Sequence, residues 1–525
     1  MIGLGRIKSF RMHDIIRELA VDLCRRECFG VTYSDEDKYG GSLEEKNGRR
    51  MVMHRLNNHS SQAISSANHL RTLLAFDNRM PSYNLLTLAT KCQYMSVELS
   101  GLPIDKVPRA IGGLYNLQHL GLRNSKVKSL PDSIERLTNL VTLDLQGSKI
   151  QELPRGIVKL KKLRHLFAER VNDKYWRKFR CRSGVPTPRG LEEMRELHTL
   201  QAVEVRGERS VWCLGALRQI RSIRIWGVKG SYCECLCESL HKMEFLSNLS
   251  IMASDEEEIL HLNDLNPLPP NLETLSLGGR LAQADLLLGA ATADGQNHPL
   301  CSVLLYWSQQ EEDPLKSLSR WSNMTKLVLT SAYVGVQLVF LQGWFPSLKE
   351  LSLRDMPHLT QLNIHQGTMT SLQQLRLVNL RRMTEVPLGI EFLVTTLNYL
   401  AFREITVDFF KVLRYCPRIC GIKWWYSLLR EDFEEGEGHL SESDVYLSES
   451  LSESDMCLSE SFSESDMYFS ESDMHPKEFD GEAGYLFQRM NRSEFYDKSQ
   501  HRHGIKTVRH DDSSSRSGMD MSGRE

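Results

Sequence analysis

The sequence predicts an α/β solenoid, in which short coils stack along one shared hydrophobic core. Three observations support this prediction. Leucines recur with a period of 23 residues in the strictest part of the chain, a proline takes the same place in three successive periods, and related leucine strings continue to about residue 425. A chain of 525 residues would otherwise suggest about three or four globular domains, whereas a repeat array forms one unit.

The strict period starts at Tyr94, Leu117, Leu140 and Leu163, which lie 23 residues apart. Apolar residues follow 3 and 5 residues after each of these positions, and a proline lies 14 residues after each of the first three. The string LxxLxL ends in the alternation of a β-strand, which sends its leucines to one side. One such coil cannot bury its leucines alone, so neighbouring coils must stack. The string and the period are typical of a leucine-rich repeat, and we expect a curved horseshoe.

Later units are less regular and reach spacings of 28 residues. An insertion follows Leu163, because the next leucine string starts only at Leu197. Counting from Leu70, we predict about fourteen units and place the repeat domain at residues 70–428. A bundle of long helices is the alternative, but internal prolines and LxxLxL triplets do not suit it.

The asparagine or cysteine of the repeat pattern is kept only in part. Asn124 and Ser125 lie near this position in one unit, and Gly147 and Ser148 lie near it in the next. The pattern alone does not settle which residue of each pair takes the role.

Composition excludes several classes of protein. The formal net charge is −2, which favours neither nucleic acid nor a membrane surface as a partner. No run of 18 apolar residues is present, so we expect no membrane span, and the start of the chain does not resemble a signal peptide. The 12 cysteines are scattered rather than spaced as a disulfide framework. A reducing, cytoplasmic location is therefore predicted.

No motif of an enzyme is present. The sequence lacks the phosphate-binding loop G-x-x-x-x-G-K-[ST] and the G-x-S-x-G and H-E-x-x-H motifs. Cys233, Cys235 and Cys237 have no matching cysteine or histidine pair at zinc-site spacing, so we predict no metal site. The sequence thus favours a binding protein over an enzyme.

A basic segment runs from Lys159 to Arg182. Its charges fit a docking surface for an acidic protein domain, and the alternative is a solvated face with a flexible insertion. Nucleic acid is not predicted, because few aromatic residues are interleaved with the charges. The candidate docking residues are Lys161, Lys162 and Arg164.

Residues 429–525 form an acidic, serine-rich tail in which the string SESD starts at Ser441, Ser452, Ser463 and Ser470. We predict disorder, because the carboxylates repel one another and serine is a middling helix former. The apolar residues between the strings could instead form one stripe of a helix. Each Ser-x-x-Asp string also suits an acid-directed kinase, whose phosphate would add negative charge.

The N-terminal string GRIKSFRMHDIIRELAVDLCRRECF contains Met12, His13 and Asp14 before an apolar helical pattern. Asp14 could simply cap this helix. The whole string, however, closely resembles the end of the winged-helix subdomain in plant nucleotide-binding leucine-rich-repeat disease-resistance proteins of the coiled-coil class. On this resemblance, residues 1–30 are a winged-helix remnant. Residues 31–69 are polar and poorly patterned, and we predict a connector with some structure. DPLKSLSRWSNMTKLVL, from Asp313, is similar to later repeats of the family.

The resemblance implies a role in sensing pathogens inside the cell. In that family the repeats restrain a nucleotide-binding module and help to detect pathogen effectors, directly or through a guarded host protein. By analogy, His13 would approach the phosphates of bound ADP, Asp14 would brace the fold, and Met12 completes the motif. Because the phosphate loop is missing from this sequence, we predict no cofactor for this chain alone; ADP or ATP would bind only with a nucleotide-binding domain supplied.

We expect protein partners to bind the concave strand side, through side chains that lie between the leucines. An adaptor without an immune role would use the same surface, and for any single residue plain solvent exposure is the alternative. The candidate contact residues are His119, Arg123, Asp144, Gln146, Lys349, Glu350, Arg354, Gln374 and Arg376.

Overall fold

The computed structural model describes Leu19, Leu23 and residues 31–33, 49–53, 70–75, 95–172, 178–282, 298–419, 424–428 and 488–490. A 19-stranded sheet runs through these residues. Its strands pair in parallel, except at the C-terminal edge, where Gln488–Met490 pairs antiparallel with Trp424–Leu428. No helix in this part of the chain is long and apolar enough to cross a membrane.

The central strands follow one another in the sheet in chain order. They are Val31–Tyr33, Arg50–Met53, Thr72–Ala75, Ser96–Glu98, His119–Gly121, Thr142–Asp144, His165–Phe167, Thr199–Glu204, Ser222–Val228, Asn248–Ala253, Thr274–Gly278, Ser302–Tyr306, Lys326–Thr330, Glu350–Arg354, Gln374–Val378, Tyr399–Ile405 and Trp424–Leu428. Val185–Pro186 adds a short strand beside Val203 and Glu204.

Among the described residues, short helices and two-stranded ladders lie between many of the central strands. The α-helices are Glu208–Leu214, Cys233–His241, Leu315–Leu318 and Val407–Tyr415. The 3-10 helices are Arg109–Gly113, Asp132–Arg136, Arg155–Lys159, Leu191–Glu193, Gly230–Tyr232, Asn263–Leu265, Ile390–Leu393 and Pro417–Ile419. The ladders pair Arg170–Val171 with Arg182–Ser183, Ile259–Leu260 with Arg280–Leu281, and Gln337–Phe340 with Gln361–Ile364.

The strand register confirms the predicted solenoid. His119 pairs with Thr142, and Thr142 pairs with His165, so neighbouring strands are offset by the predicted period. Leu117, Leu140 and Leu163 are all fully buried. The leucines therefore stack as one continuous spine. Tyr94 lies outside the described residues.

The periodic prolines start the return path of each coil. Pro108, Pro131 and Pro154 lie directly before the three 3-10 helices, each with extended backbone and φ between −63° and −70°. Proline is held near this φ and has no N–H to leave unpaired, so it suits the first position of a helix. These helices pack closely: a Cβ added to Gly112 would lie 2.6 Å from the carbonyl oxygen of Ser133.

A left-handed residue ends the strand of many coils. Asn124 (φ 55°) and Gly147 (φ 71°) occupy this position, and their amides donate to the carbonyl oxygens of the next coil. Ser125 and Ser148, one residue further, are buried and accept the N–H of the residue two positions on. Serine thus fills the position that asparagine or cysteine takes in the repeat pattern.

The sheet extends beyond the repeat domain that we predicted. The strands Val31–Tyr33 and Arg50–Met53 continue the parallel register within residues 31–69, which we predict as a connector with some structure. Likewise Gln488–Met490, within the tail predicted to be disordered, pairs with the last central strand. Short polar-flanked strands of this kind carry too few periodic leucines to be recognised by pattern.

Candidate protein-binding surface

The side chains between the spine leucines form one surface, here called the strand face. Alternation along each strand sends leucines to the core and the intervening residues to this face. The predicted residues His119 and Asp144 lie on neighbouring strands there, as do Glu350 and Gln374. The structure therefore assembles the predicted contact residues into two groups, one at each end of the described repeats.

The N-terminal group is built around a histidine–carboxylate pair. His119 Nε2 lies 2.7 Å from Glu98 Oε2. Burial tends to raise the pKa of Glu98, but hydrogen bonds from His119 and Ser100 outweigh this effect and lower it. Gly121 leaves room for this carboxylate, since an added Cβ would overlap Glu98.

Asp144 and Gln146 are less available than we predicted. Burial raises the pKa of Asp144, against the opposing effects of the Gln146 amide and of Arg123. Gln146 is only 4% exposed, and its Nε2 lies 3.4 Å from Glu169 Oε2. The prediction of Gln146 as an exposed contact is therefore wrong: its side chain reaches a buried carboxylate of the next coil.

That carboxylate is the centre of a buried ion cluster that the sequence analysis missed. Glu169 Oε2 lies 2.7 Å from Arg182 Nη1 and 2.6 Å from Arg224 Nη1, and all three side chains are buried. Burial tends to raise the pKa of Glu169, but the two guanidinium groups hold it below its usual value. Two buried arginines share one carboxylate, which fixes the insertion to two coils.

The insertion after Leu163 lies against the strand face. Besides Arg182, its residue Arg180 donates from Nε to the carbonyl oxygen of Ser254 at 3.1 Å. The ring of Phe179 meets that of Trp307 edge-on, with 5.4 Å between centroids. Part of the basic segment that we predicted as a docking surface is thus bound within the chain. Lys174 and Arg177, in the same segment, lie outside the described residues.

Lys161, Lys162 and Arg164 remain exposed. Lys161 Nζ lies 2.7 Å from Glu193 Oε2, and Lys162 Nζ lies 2.8 Å from Asn139 Oδ1. Exposed contacts of this kind contribute little to stability and exchange readily for other partners. These three residues, here called the basic edge, therefore lie where another protein can reach them.

The C-terminal group is rich in arginine and aromatic side chains. The Arg376 guanidinium lies 5.5 Å from the centre of the Tyr399 ring, and Tyr399 stacks on Trp425 with 6.5 Å between centroids. Arg403 Nη2 donates to the Tyr399 hydroxyl at 3.3 Å. Arg376, Tyr399, Arg403 and Trp425 are here called the arginine–aromatic patch. Of these four residues, only Arg376 is predicted from the sequence as a contact residue, because the other three lie in the irregular last coils.

The other predicted C-terminal residues surround this patch. Gln374 Oε1 accepts from Arg376 Nη2 at 2.7 Å, and Glu350 pairs with Lys326 at 3.0 Å. Lys349 is exposed. Arg354 is only 8% exposed and pairs with Asp355 at 2.9 Å. Its charge therefore lies beneath the strand face and is little accessible to a protein partner.

The predicted ADP-sensing residues Met12, His13 and Asp14 lie outside the described residues. Cys233 and Cys237 are buried in a helix, and burial raises the pKa of these thiols to about 11 and about 12. Such thiols stay protonated and pack as small apolar groups. Among the described residues, no three histidine, cysteine or acidic side chains are grouped so that they could hold a metal.

Comparison with known proteins agrees with this architecture. A family model described as "Leucine-rich repeat region" matches residues 69–410. Disease resistance protein RPM1 of Arabidopsis thaliana is 34% identical over 402 residues, which cover 74% of this chain and 41% of that protein. Disease resistance RPP8-like protein 3, also of Arabidopsis thaliana, is 24% identical over 75% of this chain and 43% of its own length. The chain thus spans about two fifths of the length of these relatives.

Among solved structures, a leucine-rich-repeat protein of Leptospira interrogans is 18% identical and superposes with a TM-score of 0.47, covering 75% of this chain and 96% of that one. The family model covers more than half of the chain, and the stacked parallel strands have the register that its repeats require. The chain belongs to the leucine-rich-repeat family, and its relatives include disease-resistance proteins of Arabidopsis thaliana.

Proposed function

We propose that this chain is the recognition and regulatory module of a plant cytoplasmic immune receptor and that it acts in defence by binding other proteins. The observation that carries the proposal is the strand face, on which charged and aromatic side chains from successive coils form two separate groups. The similarity to RPM1 over three quarters of the chain supports the immune role. Nothing in this role requires catalysis by the chain itself.

The basic edge is the proposed docking site for a nucleotide-binding module. Lys161, Lys162 and Arg164 are exposed on the same coil. Complementary charge at such a surface gives specificity and fast association. Docking at this edge would leave the strand face available for a pathogen effector or a guarded host protein.

The Met12-His13-Asp14 motif would act within the same assembly. We propose that it contributes to ADP sensing only when a nucleotide-binding domain completes the pocket. The chain alone should then bind ADP no better than about millimolar. Calorimetry on the chain, with and without the nucleotide-binding module, measures this directly.

Co-precipitation with a separately expressed nucleotide-binding module tests the docking proposal. The triple variant Lys161→Glu, Lys162→Glu, Arg164→Glu should lose the association. The matched control is Lys106→Glu, Lys128→Glu, Lys149→Glu, which reverses three exposed charges that follow the strands rather than precede them. Equal loss in both triple variants would point to net charge alone, and no association with the wild-type chain would favour an adaptor role.

A further inference from the structure

The arginine–aromatic patch has the chemistry of an anion-binding surface. Tyr399 and Trp425 stack on each other, and two guanidinium groups contact Tyr399: that of Arg376 lies over its ring, and that of Arg403 donates to its hydroxyl. All four side chains are partly exposed. A guanidinium carries several N–H donors in a planar fork, which suits it to bind a carboxylate or a phosphate.

Three adjacent strands build this patch. Arg376 pairs in register with Ala401, and Ala401 pairs with Trp425. Neighbouring strands lie about 4.8 Å apart, so the patch spans about 10 Å across the strands. Arg403 lies on the strand next to that of Arg376 and pairs with Val378, so the two arginines are also offset by two residues along the strands. This offset is about 7 Å, the separation of alternate residues in an extended chain, so an extended peptide could meet both arginines with carboxylates two residues apart.

The sequence offers a matching segment close by. The strings SESD starting at Ser441, Ser452 and Ser463 place a glutamate and an aspartate two residues apart. No lysine or arginine occurs between Arg430 and Lys477. The carboxylate spacing and the uniform negative charge of this segment both complement the patch.

The acidic strings are also tethered beside the patch. The last central strand ends at Leu428, and Ser441 follows 13 residues later, a length of chain that can span about 40 Å when extended. The chain returns to the same edge strand, where Gln488 pairs with Tyr426. A tether of this length produces an effective concentration in the millimolar range, so even weak contacts would be occupied.

We propose that the SESD strings of this chain bind its own arginine–aromatic patch and compete there with protein partners. The repeated strings offer several equivalent ligands, so occupancy persists when one string dissociates. Phosphorylation of the serines by an acid-directed kinase would add charge and strengthen the contact. This proposal stands independently of an immune role.

A peptide-binding experiment on the full chain tests this proposal. The probe is a fluorescein-labelled peptide with the sequence of residues 440–461, and anisotropy is the readout. In a tail-neutral variant, every glutamate and aspartate from Glu442 to Asp473 is replaced by its amide. We expect this variant to bind the peptide at least about 10-fold more tightly than the wild-type chain, whose own tail competes.

Charge reversal at the patch provides the second arm. Adding Arg376→Glu and Arg403→Glu to the tail-neutral variant should abolish peptide binding, whereas Arg376→Lys and Arg403→Lys should retain part of it. The matched control is Lys316→Glu with Lys411→Glu, two exposed helix residues, which should bind as the tail-neutral variant does. Circular dichroism establishes that each variant is folded.

Two results would overturn the proposal. Equal peptide affinity in the wild-type and tail-neutral chains would show that the tail does not occupy the patch, leaving an acidic segment of another protein as its ligand. Binding that survives charge reversal in a folded variant would place the peptide elsewhere. A glutamyl endopeptidase gives an independent check, because cleavage after Glu442 and Glu453 should accelerate when the patch arginines are reversed.

Discussion

Glu169 accepts a hydrogen bond from Arg182 at 2.7 Å in an environment from which solvent is excluded. The arginine belongs to the insertion, and the glutamate belongs to the coil that the insertion interrupts. Arg224 reaches the same carboxylate oxygen from a strand 55 residues further along the chain. A buried charge without its partner is costly, so this pair holds the insertion in one position.

Replacing Glu169 should therefore destabilise the protein strongly. Glu169→Gln removes the buried negative charge that Arg182 and Arg224 share, and we expect a loss of about 3–5 kcal/mol in the free energy of unfolding. Urea denaturation followed by circular dichroism measures it. The control is Glu193→Gln, which removes an exposed pair with Lys161 and should change the free energy of unfolding far less than Glu169→Gln does. Similar losses in both variants would contradict a special role for the buried cluster.

The left-handed position at Gly147 predicts a coupled pair of substitutions. Gly147→Ala should destabilise the chain by about 1–2 kcal/mol through its positive φ alone, and more because the new Cβ would overlap Asn124 Oδ1. Asn124→Gly removes that overlap. The double variant should then be more stable than the two single effects predict by addition. Strict additivity in a double-mutant cycle would show that the two turns do not touch.

A spine leucine should be far more sensitive than an exposed one. Leu140 is fully buried, and Leu140→Ala should cost about 2–5 kcal/mol because a cavity remains between neighbouring coils. Leu341, which is 41% exposed, is the control. Leu341→Ala should lower the free energy of unfolding by only about 0.5 kcal/mol, as is usual for surface substitutions. Thermal unfolding of the two variants, measured side by side, compares their losses of stability.

We expect His165 and His198 to make the protein less stable in mild acid. His165 is the first residue of the strand His165–Phe167, and His198 directly precedes the strand Thr199–Glu204. Burial lowers the pKa of His165, as do the nearby His198 and Arg164, and burial with Arg221 lowers the pKa of His198. As the pH falls below the ordinary histidine pKa of 6.5, the unfolded chain binds protons at these histidines more readily than the folded chain does. The free energy of unfolding therefore decreases as the pH drops. Denaturation midpoints at pH 7.5 and pH 5.5 should differ less in the variant His165→Gln, His198→Gln. An unchanged difference would assign the effect to other groups.

The leucine spine can be predicted from the sequence because every repeat buries leucines at the same positions. Leu117, Leu140 and Leu163 each need the same neighbours, so the pattern repeats and can be recognised without a structure. The turn position is harder to predict, because Asn124 and Gly147 satisfy it with different side chains. The two residues share a left-handed backbone conformation. Glycine is preferred in this conformation but is not required, so the sequence marks the position only weakly.

The buried cluster shows where pattern reasoning ends. Glu169 and Arg182 are 13 residues apart, whereas Glu169 and Arg224 are 55 apart, and neither spacing belongs to the repeat. The sequence offers one signal for this cluster, an acidic residue two positions after the strand His165–Phe167 and directly before a basic insertion. The same limit applies to the patch, where Tyr399, Arg403 and Trp425 lie in coils whose leucines have drifted from the period.

The identical register of the coils that start at Leu117 and Leu140 has a consequence for how such genes change length. Loss or duplication of one such unit by unequal recombination leaves every strand amide and carbonyl facing an equivalent partner, and the proline-started return path is preserved. The stretch from Glu169 to Arg224 has no such freedom, because deleting one coil there would separate an anion from its two cations. Variation in copy number should therefore accumulate before the insertion and stop at its boundary.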